Sequence, residues 1–213
     1  RPSKTFLMVD SNTSVCLPGF VGQLSHLDGN FEILEVEPGE GSKSIEVAAG
    51  LWSVLLEYGA DRNSLIINVG GGVVLDLGGF VASTFKRGIS FINVPTSLLA
   101  MVDASLGGKT GINHEGIKNQ VGTFTGAELV LIDDAFLGTL PEEEWRSGHG
   151  EMIKHSLLSG HNWPQVLKLT HQTLNDVHLK QSVDTKLAIV QSDFKENGLR
   201  KVLNLGHTFG HAW

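Results

Sequence analysis

Cysteine and long hydrophobic runs are the clearest shortages of this sequence. Cys16 is the one cysteine in 213 residues, so the fold cannot contain an intrachain disulfide, which suits a reducing compartment. No stretch of about 18 apolar residues occurs that could cross a membrane. We therefore expect a soluble, cytoplasmic protein with no membrane partner.

Positive charge is also scarce. The chain has 16 Lys+Arg against 23 Asp+Glu, which gives a formal net charge of −7. Nucleic acids and anionic membrane surfaces attract proteins through a basic field, so we expect neither as the main partner. Apolar residues make up 41% of the chain, which is enough for a folded core and too many for a disordered segment.

Short apolar segments alternate with helical patterns in the first part of the chain. Each ends at glycine, proline or polar turn residues, as buried strands do. The predicted strands cover residues 5–9, 31–36, 65–69, 91–94 and 129–132. Apolar residues at helical spacing predict a helix over 45–58, with Ser44 as its N-cap. This alternation predicts an α/β, Rossmann-like domain with a parallel sheet over residues 1–140.

The remaining part of the chain shows helical patterns alone. Pro141 followed by three glutamates is typical of a helix start. Helical periodicity continues over 151–158, 163–174 and 181–195, which predicts an all-α domain over 141–213. The sequence begins at Arg1 rather than Met, and its last residues have a helical pattern, so we expect a fragment of a longer protein.

Two glycine-rich strings could hold phosphate groups. Gly70, Gly71 and Gly72 follow a predicted strand, where backbone N–H groups can bind the pyrophosphate of a dinucleotide, although a plain tight turn has the same pattern. The string at 102–119 combines four glycines with Lys109 and Lys118, as a phosphorylated ligand requires. A polar surface hairpin is the alternative interpretation of that second string.

Two further clusters have helical spacing. Glu151, Lys154 and His155 share one helix face, which indicates either a charged site or a solvated surface. His207 and His211 are four residues apart, the spacing with which one helix offers two imidazoles to a metal, although a capped surface helix is also compatible with it. With no second cysteine, a carboxylate would have to complete an N/O zinc site.

Taken together, these clusters resemble the 3-dehydroquinate synthases, members of the sugar-phosphate cyclase superfamily. The resemblance extends from about residue 5 to the end of the chain. The matching strings are PGEGSK (38–43), GGGVVLDLGGFVASTFKRG (70–88), VPTSLLAMVDASLGGKTGINHEGIKN (94–119), GEMIKH (150–155) and GLRKVLNLGHTFGHA (198–212).

The resemblance implies a lyase that depends on NAD and on Zn²⁺, with Co²⁺ as an alternative. Its substrate would be a phosphorylated sugar acid, 3-deoxy-D-arabino-heptulosonate 7-phosphate. Such an enzyme transiently oxidises the C5 hydroxyl, eliminates phosphate, returns the hydride and closes the ring by an intramolecular aldol step. The resemblance also implies a homodimer, in which Arg87 reaches the neighbouring subunit's phosphate site.

The resemblance also assigns residues by position. For NAD it implies an adenine-ribose side at Asp10, Asn12, Glu40 and Lys43, a pyrophosphate turn at Gly71, Gly72 and Val73, and nearby contacts from Asp76, Thr96, Ser97, Thr139 and Leu140. For the metal it implies Glu151 and His207. For substrate it implies Asp103, Lys109, Asn119, Lys154, Lys186, Arg200, Asn204 and His211. Within that set, Lys109, Asn119, Asn204 and His211 would surround the phosphate, and Lys186 and Arg200 would face the carboxylate.

Two departures from the family pattern affect these expectations. Leu75 stands where the dinucleotide fingerprint has its third glycine, so we expect its side chain to crowd the helix–strand contact and weaken NAD binding. The family's third zinc ligand follows the last residue of this sequence, so the chain by itself should bind zinc poorly. The alternatives are another sugar-phosphate cyclase, such as 2-deoxy-scyllo-inosose synthase, a glycerol-dehydrogenase-like oxidoreductase, or a non-catalytic nucleotide-binding relative.

Overall fold

The computed structural model describes residues 1–23 and 30–206. The chain folds into two compact units, Arg1–Thr96 with Gly108–Asp133, and Ser97–Gly107 with Asp134–Trp213. The predicted domains met at residue 140, whereas the structure assigns Ser97–Gly107 to the helical unit. The physical reason is a π-helical turn at Ala100–Ala104, which packs against two helices of that unit.

The first unit is built on a five-stranded parallel sheet. Its strands are β1 (Thr5–Asp10), β2 (Phe31–Val36), β3 (Leu65–Gly70), β4 (Ser90–Pro95) and β7 (Leu129–Val130), in the spatial order β2-β1-β3-β4-β7. Its helices are α1 (Leu17–Gln23), α2 (Ile45–Glu57) and α3 (Gly72–Thr84). The predicted Rossmann-like α/β fold is therefore confirmed.

A two-stranded hairpin belongs to the same unit. Strands β5 (Lys109–His114) and β6 (Ile117–Phe124) pair antiparallel, with an irregular register between Ile112 and His114. A hairpin and a phosphate-binding string were alternative interpretations of this segment. The structure forms the hairpin, and the polar residues of the string from Lys109 onward lie on it. A hairpin and a phosphate-binding string are therefore compatible interpretations.

Helix α3 lies close to strand β3 at Gly78 and close to hairpin strand β5 at Gly79. A Cβ atom on Gly78 would lie 1.9 Å from Oδ1 of Asn68, and one on Gly79 would lie 2.5 Å from Cγ2 of Thr110. Leu75, by contrast, is only 2% exposed and is already accommodated in the interior. The close helix–strand contact that we expected Leu75 to obstruct therefore lies at Gly78 and Gly79 instead.

The second unit consists of helices among its described residues. They are α4 (Glu142–Ser159), α5 (Trp163–Val166) and α6 (Asp176–Ser192), followed by a 3₁₀ helix at Leu199–Asn204. Pro141 is the N-cap of α4, three glutamates occupy its first turn, and Gly160 ends it with a φ of 72°. Asn175 caps α6 by accepting hydrogen bonds from the N–H groups of Val177 and His178.

The predicted helix over 163–174 is wrong beyond Val166. The backbone N–H of Thr170 donates to Oγ1 of Thr173, and the N–H of Thr173 donates to the carbonyl of Thr170. Threonine side chains thereby give the backbone an alternative to helical hydrogen bonds. Within the residues that the structure describes, no helix is both long and apolar enough to cross a membrane.

Replacing Gly78 by alanine should destabilise the first unit, because the new methyl group would collide with Asn68. Asn68 cannot easily move, since its Nδ2 donates to Oδ1 of Asn93 at 2.9 Å in the buried sheet. We expect the free energy of unfolding in urea to fall by about 1–3 kcal/mol.

Gly50→Ala is the matched control for that substitution. Gly50 lies within α2, is exposed, and has nothing within 4 Å of the position of a Cβ. Alanine there should raise the free energy of unfolding by about 0.5–1 kcal/mol. Unfolding is monitored by circular dichroism. Equal changes in the free energy of unfolding for the two substitutions would contradict the close contact at Gly78.

Candidate functional site

The turn between β3 and α3 is shaped to expose backbone donors. A Cβ atom on Gly70 would lie 2.6 Å from Cβ of Val74, so only glycine fits where the strand ends. Gly71 is the N-cap of α3 and supplies no side-chain acceptor to its first turn. The N–H groups of a first helical turn have no partner within the helix, and with the helix dipole they attract an anion. Gly71, Gly72 and Val73 therefore lie where a pyrophosphate is expected.

The carboxyl end of β1 is fixed by a residue that sequence reasoning missed. Asp10 closes the strand, and its Oδ1 accepts from both the N–H and the hydroxyl of Thr13, each at 2.8 Å. The Thr13 hydroxyl also lies 3.1 Å from the carbonyl of Val69, at the end of β3. An aspartate followed three residues later by threonine at a strand end is the sequence signal for this turn. The neighbouring Asn12 is exposed.

The turn after β4 is held to the glycine turn. The N–H of Thr96 donates to the carbonyl of Gly70 at 3.0 Å, within the first unit. In the second unit, Oγ of Ser97 accepts from the N–H of Ala100 at 3.3 Å and so begins the π-helical turn. Both side chains are buried, which agrees with a positioning role for each in its own unit.

Lys43 connects two parts of the first unit. Its Nζ donates to Oδ2 of Asp76 on α3 at 2.6 Å and to Oδ1 of Asn119 on β6 at 2.7 Å. The Lys43 side chain is only 3% exposed. The structure thus brings together two residues that were assigned to the cofactor and one that was assigned to the substrate phosphate.

Asn113 reinforces this connection at the tip of the hairpin. Its N–H donates to the carbonyl of Lys43 at 2.7 Å, its Nδ2 donates to Oε2 of Glu40 at 2.9 Å, and its Oδ1 accepts from the N–H of Asn119 at 2.9 Å. Asn113 belongs to the glycine-rich string at 102–119, but the family resemblance assigned it no role of its own. Lys109 is exposed at the start of β5, and Arg87 is exposed with a left-handed backbone, φ 72°.

The second unit gathers five ionisable side chains from three elements. Asp103 lies on the π-helical turn, Lys186 on α6, and the remaining three are Glu151, Lys154 and His155 of α4. Lys186 forms an ion pair with Asp103, and Lys154 forms one with Glu151 and also donates to the carbonyl of Leu203. Lys154 and Glu151 are 8% and 14% exposed, so the alternative of a solvated charged face is wrong.

Burial and charge determine the protonation of this cluster. Burial raises the pKa of Asp103, but the charge and hydrogen bond of Lys186 outweigh it and hold that pKa below its usual value. Burial lowers the pKa of His155 from 6.5 to about 4, against the opposing effect of Asp103 and Glu151. At neutral pH, therefore, Asp103 is a carboxylate and His155 is a neutral imidazole.

The cluster contains a set of side chains that fits a divalent metal ion. Asp103, Glu151 and His155 each offer one ligand atom, and these atoms all lie within 4.8 Å of one another. Nε2 of His155 is buried without a hydrogen-bond partner in the described part of the chain, while its Nδ1 bonds to Oγ of Ser182 at 2.7 Å. A neutral imidazole and carboxylates are suitable ligands for zinc or cobalt.

The predicted metal pair can be followed only in part. Glu151 lies in this cluster, whereas His207 and His211 lie outside the described residues. The predicted pairing of Glu151 with His207 stays a prediction. The helical spacing put His155 on one face with Glu151, but it could not put Asp103 beside them, because that contact joins segments far apart in sequence.

The loop after α6 positions Arg200. Asp193 accepts hydrogen bonds from the N–H groups of Asn197, Gly198 and Arg200 at 2.9, 2.7 and 3.0 Å. Arg200 is 2% exposed and donates to the carbonyl of Phe194. A Cβ atom on Gly107, whose φ is +101°, would lie 2.5 Å from Nη2 of Arg200.

Three other predicted residues lie nearer the surface of the second unit. Nδ2 of Asn204 donates to Oε1 of Glu196 at 3.0 Å. Thr139 is exposed at the end of a 3₁₀ helix before α4, and the N–H of Leu140 donates to the carbonyl of Leu137 at 3.2 Å.

Comparisons with known proteins identify relatives of both parts of the chain. The family model described as 3-dehydroquinate synthase N-terminal matches residues 33–147, and the one described as 3-dehydroquinate synthase C-terminal matches 148–213. A 3-dehydroquinate synthase of Parabacteroides distasonis is 46% identical over 216 aligned residues, which cover 99% of this chain and 61% of that protein. The chain thus spans about three fifths of the length of this relative.

Two solved cyclases share the fold. A 2-deoxy-scyllo-inosose synthase complexed with carbaglucose-6-phosphate, NAD⁺ and Co²⁺ is 26% identical with a TM-score of 0.85, over 98% of this chain and 60% of that one. A 2-epi-5-epi-valiolone synthase from Streptomyces hygroscopicus with NAD⁺ and Zn²⁺ is 27% identical with a TM-score of 0.79, over 97% and 60% of the two chains.

Gly107→Ala should disturb Arg200 and destabilise the protein beyond the effect of backbone strain. Alanine at a left-handed position costs about 1–2 kcal/mol, and the contact with the buried guanidinium adds to that cost. Gly116→Ala is the control, because Gly116 also has a positive φ, 77°, but has nothing within 4 Å of a Cβ position. Urea unfolding curves should show the larger loss for Gly107→Ala; an equal loss would argue against the Arg200 contact.

His155 should make stability depend on pH. Its folded pKa of about 4 lies below the unfolded value of 6.5, so between these values the unfolded chain binds a proton that the folded chain does not. The free energy of unfolding should therefore fall by roughly 3 kcal/mol from this group as the pH drops from 6.5 to 4.

That dependence can be measured in protein freed of metal by a chelator. His155→Gln should flatten the decrease relative to wild type, and an NMR titration should show the His155 ring protonating only near pH 4. A ring that titrates near 6.5 would contradict its burial as a neutral group.

Proposed function

The chain belongs to the 3-dehydroquinate synthase family, and we propose on that premise that it contributes most of the active site of such an enzyme. The reaction would convert 3-deoxy-D-arabino-heptulosonate 7-phosphate to 3-dehydroquinate and phosphate. The observation that carries the proposal is the buried cluster of Asp103, Glu151, Lys154 and Lys186. Buried ion pairs gain little net stability over apolar packing, so their presence favours a chemical role.

NAD and a divalent metal are the proposed cofactors. The two solved cyclases bind NAD⁺ with Co²⁺ or Zn²⁺, and this supports the same pair here, with Zn²⁺ as the specific choice. Gly71, Gly72 and Val73 would hold the pyrophosphate, and Glu151 would be one metal ligand. When bound, the cofactors would supply a reversible oxidation of a substrate hydroxyl polarised by the metal, which acidifies the neighbouring C–H.

Each unit supplies side chains that we propose for one charged group of the substrate. Lys109 and Asn119 of the first unit would bind the phosphate as cation and hydrogen-bond donor. Lys186 and Arg200 of the second unit would bind the carboxylate. Fixing one conformer of a flexible sugar acid would be the main contribution of such charged contacts to ring closure.

The Asp103–Lys186 ion pair would position the carboxylate-binding lysine before substrate arrives. Asp103 is anionic at neutral pH, and it holds the Lys186 ammonium in one position. His155 stays neutral, so it adds no charge beside Glu151 and can accept a metal or a proton at Nε2.

Another sugar-phosphate cyclase is the second candidate. The similarity to 2-deoxy-scyllo-inosose synthase supports shared cofactors, but that identity is 26%, against 46% for the Parabacteroides 3-dehydroquinate synthase. A buried Arg200 is better suited to a substrate that has a carboxylate. A non-catalytic relative would not need the buried ion pairs.

A cytoplasmic homodimer is part of the same proposal. The single cysteine agrees with a reducing compartment. Arg87 is exposed on a left-handed backbone, and strain of this kind often accompanies a binding role, which supports a contact from Arg87 to the phosphate site of a second copy.

The activity can be tested by phosphate release in a full-length protein carrying this sequence. We expect release from 3-deoxy-D-arabino-heptulosonate 7-phosphate that requires both NAD⁺ and Zn²⁺ and produces dehydroquinate. Lys186→Met should lower kcat/KM at least a hundredfold, because it removes a carboxylate contact and leaves Asp103 unpaired.

Lys180→Met is the matched control for that variant. Lys180 is an exposed lysine of the same helix, paired with Asp184 four residues on, and it should leave kcat/KM unchanged. A folded protein that binds NAD⁺ and Zn²⁺ but releases no phosphate would move the assignment to another sugar-phosphate cyclase.

A further inference from the structure

Lys43 has a buried ammonium whose hydrogen bonds go to other residues of the chain. Two of its three N–H donors are directed at Asp76 and Asn119, at 2.6 and 2.7 Å. These partners lie on different elements, α3 and β6, and their contacts converge on one side chain. The arrangement suggests that Lys43 acts on another residue rather than on a ligand directly.

The chemistry of lysine determines how the Asn119 amide is turned. An ammonium can donate hydrogen bonds but cannot accept them, so Asn119 must present its oxygen, Oδ1, to Lys43. The amide NH₂ then points away from Lys43. Nδ2 has no hydrogen-bond partner in the part of the chain that the structure describes, so it can donate to an incoming acceptor.

The backbone of Asn119 is fixed as well. Its φ is 55°, a left-handed conformation that asparagine tolerates better than most residues. Its N–H donates to Oδ1 of Asn113, whose Nδ2 in turn donates to Glu40. With the side chain held by Lys43 and the main chain held by Asn113, the direction of the free NH₂ is set before any ligand binds.

We propose that Lys43 is a positioning residue that turns the Asn119 amide so that it donates a hydrogen bond to the phosphate of the substrate. The proposal rests on the proposed function for the identity of that anion. A preset donor avoids the cost of ordering an amide that would otherwise present its oxygen to the anion in about half of its orientations. The same ammonium holds Asp76 of α3, one turn after the glycine turn, so the phosphate donor and the cofactor helix share one support.

A double-mutant cycle on phosphate affinity tests this proposal. The probe is inorganic phosphate, and its Kd is measured by calorimetry on a full-length protein carrying this sequence, with NAD⁺ bound. We expect Asn119→Ala and Lys43→Met each to weaken phosphate binding roughly tenfold, the value of one hydrogen bond to a charged group. The double variant should bind no more weakly than Asn119→Ala alone, because Lys43 acts through Asn119.

Three further variants keep the test decisive. Asn119→Asp keeps an acceptor for Lys43 but has no N–H to donate, so it should lose at least as much phosphate affinity as Asn119→Ala, whether or not Lys43→Met folds. Lys43→Arg still offers only N–H donors to Asn119 and should retain the affinity within about threefold. Lys180→Met, which removes an exposed lysine, should not change it.

The outcomes separate this inference from the proposed function. Full phosphate affinity in Asn119→Asp, a Lys43→Met loss that persists in the Asn119→Ala background, or a wild type that does not bind phosphate would each overturn the positioning role. The variants could show the expected double-mutant cycle while the wild type releases no phosphate from the sugar acid. That result would overturn the proposed function and leave the positioning role intact.

Discussion

Charge buried away from water must be paired, and this constraint organises both units of the chain. In the second unit it places Lys186 against Asp103 and Lys154 against Glu151, so three separate elements meet at one cluster. In the first unit it places Lys43 between Asp76 and Asn119. Removing one partner of such a pair strands a charge in a medium of low polarity. The residues that we propose for chemistry are therefore also residues on which the packing depends.

Much of the first unit could be predicted because its signals are local. Apolar strands that end in turn residues predicted β1 to β4 within one or two residues, and Ser44 caps α2 as expected. The short helix α5 could not be predicted in the same way, because the pattern over 163–174 is helical. The structure ends the helix at Val166, where i→i+3 hydrogen bonds follow, and the Thr170–Thr173 hydrogen bonds come after them. A side chain that competes for backbone hydrogen bonds leaves little trace in hydrophobic periodicity.

The candidate site was predictable as a set of residues and not as a set of contacts. Family resemblance named Asp103, Lys186 and Asn119, but which carboxylate faces which lysine depends on how distant segments meet. The glycines that let α3 pack closely were also not predictable from the motif. Leu75 occupies the fingerprint position, whereas the close contacts of α3 with β3 and β5 depend on Gly78 and Gly79, which the spacing of the motif does not identify.

Ser97–Gly107 belongs to the helical unit although it lies between two segments of the first unit in the sequence, and this order has a consequence for biosynthesis. A ribosome makes the chain from its N-terminus, and domains tend to fold as they emerge. Asp103 is synthesised 83 residues before Lys186, the cation that neutralises it in the folded protein. The π-helical segment is therefore synthesised before α4 and α6, the helices that pack against it. At that stage the strands of the first unit are already able to pair. Translation speed through residues 108–186, and any chaperone that shields the waiting segment, should then affect how much active protein a cell obtains.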